Sequence, residues 1–282
     1  MPAPGFGARL RAAGARHGRL CVGIDPHAQL LEQWGLSDDI DGLRAFTDAC
    51  VEAFASEVAL IKPQVAFYER FGAAGFQVLE EALAELRSRD TLVVADAKRG
   101  DIGSTMAGYA EAWLGERSPL RADAVTVSPY LGIGALNPVF ELAHKRGAGV
   151  FVLAATSNPE APAVQRADTG GGVTLAQSVV DHCAAFNRGG KPGDVGVVVG
   201  ATVDDPPALD ELNGPVLMPG VGAQGAGSED VARIAAGVTD LAFPNVSRSV
   251  LKAGPKVGAL RAAARAQAED FPGNFPGGSV HA

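Results

Sequence analysis

The sequence predicts a single-domain (β/α)8 barrel, a TIM barrel, on three observations: eight short apolar runs rich in β-formers, helical periodicity between them, and charged residues gathered at the ends of several runs. Buried parallel strands read as continuous apolar stretches because both faces are covered. In order the runs are 20–25 (LCVGID), 59–64 (ALIKPQ), 91–98 (TLVVADAK), 124–129 (AVTVSP), 149–156 (GVFVLAAT), 195–202 (VGVVVGAT), 216–221 (VLMPGV) and 241–247 (LAFPNVS). Stretches 43–57, 76–89 and 228–236 carry the helical period. A doubly wound sheet also alternates strand and helix, but no GxGxxG follows the first run, where a dinucleotide fold would carry it.

With 282 residues, 47% of them hydrophobic, the chain suits one large core better than two small ones. The barrel is assigned to residues 1–270, and 271–282 (FPGNFPGGSVHA) form a Pro/Gly-rich tail. Residues 157–174 (SNPEAPAVQRADTGGGVT) follow the fifth run, and their Pro and Gly content predicts an irregular loop at the barrel mouth, without a regular helix.

The net charge of −8, with no long Lys/Arg run, leaves no footprint for nucleic acid or an anionic membrane. Cys21, Cys50 and Cys183 lack CxxC spacing, which fits a reducing compartment, and Cys21 reads as a small core residue. The N-terminus has no apolar signal region, and no segment is a continuous apolar span, so the expected location is the cytoplasm. His17, His27, His144, His182 and His281 show no HxxxH spacing; no metal and no cofactor is expected.

Catalytic groups of (β/α)8 enzymes sit at strand C-termini, because charge inside a barrel is costly. Asp25 closes the first run, Lys62 nears the end of the second, Asp96 and Lys98 close the third, and Thr156 and Ser157 follow the fifth. Being two apart on a strand, Asp96 and Lys98 should share a face. Asp101 follows, so a lysine lies between two carboxylates, and Lys62 is positioned to pair with Asp96. One such residue reads equally well as a strand-end salt bridge; five at the tops of three neighbouring strands favour a site. After the seventh run, PGVGAQG (219–225) offers glycine N–H groups, and after the eighth Arg248 offers a bidentate clamp: together a phosphate site.

These motifs resemble those of the orotidine 5′-phosphate decarboxylase family, in its longer bacterial branch. The hallmark D-x-K-x-x-D, followed by Ile-Gly and a downstream Thr, stands here as Asp96-Ala-Lys98-Arg-Gly-Asp101-Ile102-Gly103-Ser-Thr105, and the resemblance runs from Gly23-Ile24-Asp25 to Ser247-Arg248-Ser249. It implies decarboxylation of orotidine 5′-phosphate to UMP, in de novo pyrimidine synthesis and without a cofactor. Lys98 would then be the proton donor, acting with Asp96, Asp101 and Lys62. Asp25 and Lys62 would hold ribose hydroxyls, Ser157 the pyrimidine amide, and Gly220, Gln224 and Arg248 the phosphate. Asp101, Ile102 and Thr105 would reach the partner's site in a homodimer. Ser247 and Gln64 depart from the residues many relatives have, Gly and His.

The expected chemistry leaves a carbanion at C6, and a lysine fixed beside it can stabilise charge and deliver a proton. Segment 157–174 and the Gln224 loop are the candidate lids. Two rivals remain. A magnesium-dependent 3-keto-gulonate-phosphate decarboxylase shares D-x-K-x-x-D but needs a metal-binding acid near the second strand, where Lys62 stands and Glu69 lies farther on. A non-catalytic phosphate sensor would keep Gly220, Gly222 and Arg248 without needing the Lys62/Asp96/Lys98/Asp101 array.

Overall fold

The computed structural model describes residues 4–189, 192–222 and 225–271. All eight expected runs form strands: β1 (Cys21–Ile24), β2 (Leu60–Pro63), β3 (Val94–Arg99), β4 (Ala124–Val127), β5 (Gly149–Ala155), β6 (Val195–Val199), β7 (Val216–Pro219) and β8 (Ala242–Val246). They are parallel, in the order β2-β1-β8-β7-β6-β5-β4-β3. Parallel bridges Ile61↔Val93 and Gln64↔Asp96 join β2 to β3 and close the barrel. Helices surround it; the three predicted periods correspond to Ile40–Phe54, Gly72–Ser88 and Ser228–Ile234.

Side chains alternate between two cores, as a strand's two-residue period requires. Val22, Ile61, Val93 and Ala95 face the outer helices, while Cys21, Leu60, Val94, Ala124, Phe151, Leu217 and Phe243 fill the barrel interior. Cys21, Cys50 and Cys183 are free and buried, as core residues.

A helix that periodicity did not reveal, Phe6–His17, closes the bottom of the barrel. Its buried face is Phe6, Gly7, Leu10 and Gly14, half of it glycine, so the apolar signal is thin. Phe6 enters the interior and meets Phe151 edge to face, ring centroids 5.9 Å apart. Gly149 leaves room for that ring: a Cβ there would lie 2.2 Å from it. Plugging this end leaves the opposite rim, where the strands finish, as the open mouth.

Segment 157–174 departs from its expectation. It contains a short helix, Ala161–Gln165, whose Pro162 falls in the first turn, where a missing N–H costs nothing. Its glycine turn is also ordered: Asp168 accepts from the Gly170 and Gly172 N–H groups at 2.8 and 3.2 Å. Phe271 is buried against the main core, its carbonyl accepting from the Arg19 N–H at 3.0 Å; the remainder of the proposed tail lies outside the described residues. No described helix is long and apolar enough to cross a membrane.

Candidate active site

A cavity of about 270 Å3 opens at the strand C-termini, and its lining includes Asp25, Lys62, Asp96, Lys98, Gly220 and Arg248. At its centre Asp96 is 7% exposed and accepts four hydrogen bonds. Oδ2 takes Lys62 Nζ at 2.9 Å and Gln64 Nε2 at 2.8 Å; Oδ1 takes Lys98 Nζ at 2.6 Å and Thr126 Oγ1 at 3.0 Å. An ionised carboxylate has about four lone-pair sites, so Asp96 is saturated and works as a fixed anchor for both lysines. Burial, the largest single influence, would raise its pKa; the two ammonium charges and their hydrogen bonds outweigh it and hold the carboxyl well below the usual range. Lys62 is 4% exposed, and the same contest resolves the other way: burial favours the neutral amine, but Asp96 and Asp25 raise its pKa above the ordinary lysine value.

Lys98 does reach Asp96, though not by the simple strand geometry expected. The β3–β4 register shifts between Ala95 and Arg99, and Lys98 has φ +49°, in the left-handed region. Its N–H leaves the ladder and donates to Thr126 Oγ1 at 2.9 Å, while that hydroxyl donates to Asp96. A β-branched threonine on β4 therefore stabilises a backbone conformation that costs a non-glycine residue on the order of 1–3 kcal/mol. The bulge re-aims the lysine: its side chain is 45% exposed, so the ammonium is pinned at one face and open to the cavity at the other.

Asp25 follows β1, 3.9 Å from Lys62, with its buried Oδ1 accepting no hydrogen bond among the described residues. Such an oxygen suits a donor such as a sugar hydroxyl. Asp101 makes no ion pair with Lys98: its Oδ1 accepts from the Ile102 N–H at 2.7 Å, and no ion pair joins it among the described residues. Ile102 is 61% exposed and Thr105 is exposed, both beside the start of helix Gly103–Leu114.

At the other end Gly220 turns the chain after β7 with φ +103°, and Arg248 begins the short helix after β8. Arg248 is exposed and has no ion-pair partner among the described residues. Gln224, expected beside it, lies outside them. Ser247 fits because β1 carries Gly23: a Cβ there would stand 2.0 Å from Ser247 Oγ. Counting Lys62, Lys98 and Arg248 against Asp25 and Asp96, the cavity's ionisable lining is net cationic by one charge.

Ser157 does not line this cavity; it lines a neighbouring one of about 430 Å3, and Thr156 is shared by both. Sequence reasoning missed Thr126 altogether and treated Gln64 only as a departure from pattern; their contacts with Asp96 depend on register between strands. Glu69 ends the short helix Ala66–Glu69 and pairs with Arg99 at 3.0 Å, away from this array. Among the described residues no three His, Cys, Asp or Glu side chains group as a cation site.

Comparison with known proteins shows the family. Residues 18–263 match the model of the orotidine 5′-phosphate decarboxylase / HUMPS family. Orotidine 5′-phosphate decarboxylase of Corynebacterium glutamicum is 59% identical over 275 residues, 96% of this chain and 99% of that protein. The enzyme of the same name from Salinispora arenicola is 56% identical over 92% of this chain and 94% of its own length. A crystal structure from Streptomyces avermitilis, assigned as an orotidine 5′-phosphate decarboxylase, superposes with a TM-score of 0.92 at 55% identity, covering 96% of this chain and 95% of that one. The chain belongs to the orotidine 5′-phosphate decarboxylase / HUMPS family.

Proposed function

We propose that the protein decarboxylates orotidine 5′-phosphate to UMP, for pyrimidine synthesis in the cytoplasm, with Lys98 delivering the proton to C6. The observation that carries this reading is the Lys62–Asp96–Lys98 array opening on a cavity whose far end offers Gly220 and Arg248. Orotidylate would lie across the mouth with its phosphate at Arg248, its ribose at Asp25 and Lys62, and C6 at Lys98.

The C6–carboxylate bond breaks, CO2 departs, and the electron pair stays on C6. Lys98 Nζ meets that charge already oriented by Asp96, so little reorganisation is needed as it develops. Its proton forms the new C6–H bond, and solvent restores the ammonium. Asp96 takes no proton: its four donors and depressed pKa keep it anionic throughout. Phosphate contacts remote from C6 supply binding energy that offsets the ordering of the site.

A metal-dependent sugar-phosphate decarboxylase is the weaker reading, because Lys62 holds the end of β2 and Glu69 is engaged by Arg99. Following orotidylate loss by ultraviolet absorbance, with and without excess EDTA, separates the two. Turnover should persist with chelator, and activity that magnesium alone restores would favour the rival.

The working unit in this reading is a homodimer in which Asp101, Ile102 and Thr105 complete the partner's site. Support comes from Asp101 having no ion pair among the described residues and from Ile102 standing exposed beside it. Mixing Lys98→Ala with Asp101→Ala subunits tests it: equal exchange gives half mixed dimers, each with one intact site, so activity should rise to about a quarter of wild type. Activity that stays at the parental average, with exchange verified by mass-tagged subunits, would rule out a shared site.

A further inference from the structure

We infer that Gln165 is a positioning residue for the pyrimidine end of the site, acting by clamping Thr156 and so fixing Ser157. This rests on the reading of orotidylate as substrate. Gln165 ends the helix Ala161–Gln165 inside the segment expected to be irregular, and its amide meets Thr156 twice. Oε1 accepts from the Thr156 N–H at 2.8 Å, and Nε2 donates to Thr156 Oγ1 at 2.9 Å. The amide orientation is dictated by its partners, since a flipped group would set N–H against N–H. The Thr156 hydroxyl, accepting from Gln165, donates onward to Asn158 Oδ1 at 2.6 Å, and Asn158 Nδ2 donates to Glu160 Oε2 at 2.9 Å.

Ser157 is thus held between two residues of one directed hydrogen-bond relay. Its other side abuts Gly200 after β6, where a Cβ would come within 3.2 Å of the Ser157 Cβ and backbone nitrogen. Thr156 is the shared wall of the catalytic cavity and its larger neighbour, so movement of this residue is felt in both. Gln165 itself lines only the neighbouring cavity and acts at one remove.

The test compares two competitive inhibitors of orotidylate turnover, UMP and ribose 5-phosphate, which differ by the base. Gln165→Ala strips the Thr156 N–H of its partner, and should weaken UMP inhibition roughly tenfold while ribose 5-phosphate stays within about twofold. Gln165→Glu keeps an acceptor facing that N–H and should recover most of the loss, which also covers the case of an alanine variant that folds poorly. In a Ser157→Ala background, Gln165→Ala should have little further effect on UMP, because the two residues act through one contact. Equal weakening of both inhibitors, or full additivity with Ser157→Ala, would overturn the inference. Wild-type protein that leaves orotidylate untouched would remove the functional reading and this inference together; an active wild type with an unaltered Gln165→Ala variant would remove the inference alone.

Discussion

The two ends of the cavity are built on opposite terms. Where β2 and β3 finish, the central charges are already engaged: each oxygen of Asp96 accepts two hydrogen bonds, and Lys62 and Lys98 are fixed before any ligand arrives. Where β7 and β8 finish, Arg248 is exposed with no carboxylate partner among the described residues. The first end is organised by folding and the second is left for the ligand to organise. Pre-ordered charge belongs where an anion develops fleetingly, because reorganisation then would raise the barrier. A permanent phosphate can order its own receptor on binding and commit that energy to catalysis.

Breaking the pre-ordered end should have the largest effect. Asp96→Ala leaves Lys62 buried without its nearest counter-charge and should lower unfolding free energy by about 3–5 kcal/mol, read from denaturant titration, besides eliminating turnover. Arg248→Ala, at the open end, should leave stability unchanged and reduce kcat/KM for orotidylate by about 2–4 kcal/mol, while scarcely altering the weak turnover of phosphate-free orotidine. Equal losses with both substrates would contradict a phosphate role. Thr126→Val sharpens the contrast, since it removes one donor to Asp96 and the acceptor for the Lys98 N–H; a stability loss of about 1–3 kcal/mol is expected, with kcat falling more than KM rises.

Acid and base should disturb the ordered end least across the middle of the pH range. The folded pKa of Asp96 is depressed, so its contribution is present above the ordinary carboxylate value of about 4 and is lost only as pH falls below it. Lys62 has a raised pKa, so its contribution is complete below the ordinary lysine value of about 10.4 and is lost as pH climbs past it. Asp96 and Lys62 should therefore add no pH dependence to the wild-type unfolding free energy from about pH 5 to about pH 9. A wild-type stability loss on acidification near about pH 6 that Asp96→Asn abolishes would mean that Asp96 titrates where its partners should prevent it.

How much of this was legible follows from what each feature depends on. The strands were readable because burial on both faces writes a continuous apolar run, as in Val195–Val199, where every residue is buried. The charged strand ends were readable because the fold fixes which end carries chemistry. The plug helix Phe6–His17 was not, since glycine serves half of its buried face. Nor was the bulge at Lys98, because a lysine at φ +49° is held there by Thr126 on the next strand, about thirty residues away, and no local pattern encodes it. Spacing alone puts Asp101 near Lys98 but does not encode the turn after β3, where its carboxylate accepts from the Ile102 N–H.

The claim that the pre-ordered ammonium supplies the C6 proton is tested most directly by Lys98→Ala. The substitution falls on a half-exposed side chain at the cavity mouth, so the protein should fold and still bind UMP, while orotidylate absorbance should show no decay above the uncatalysed background. A variant that is folded, binds UMP and retains substantial kcat would contradict the account and assign the proton to another group.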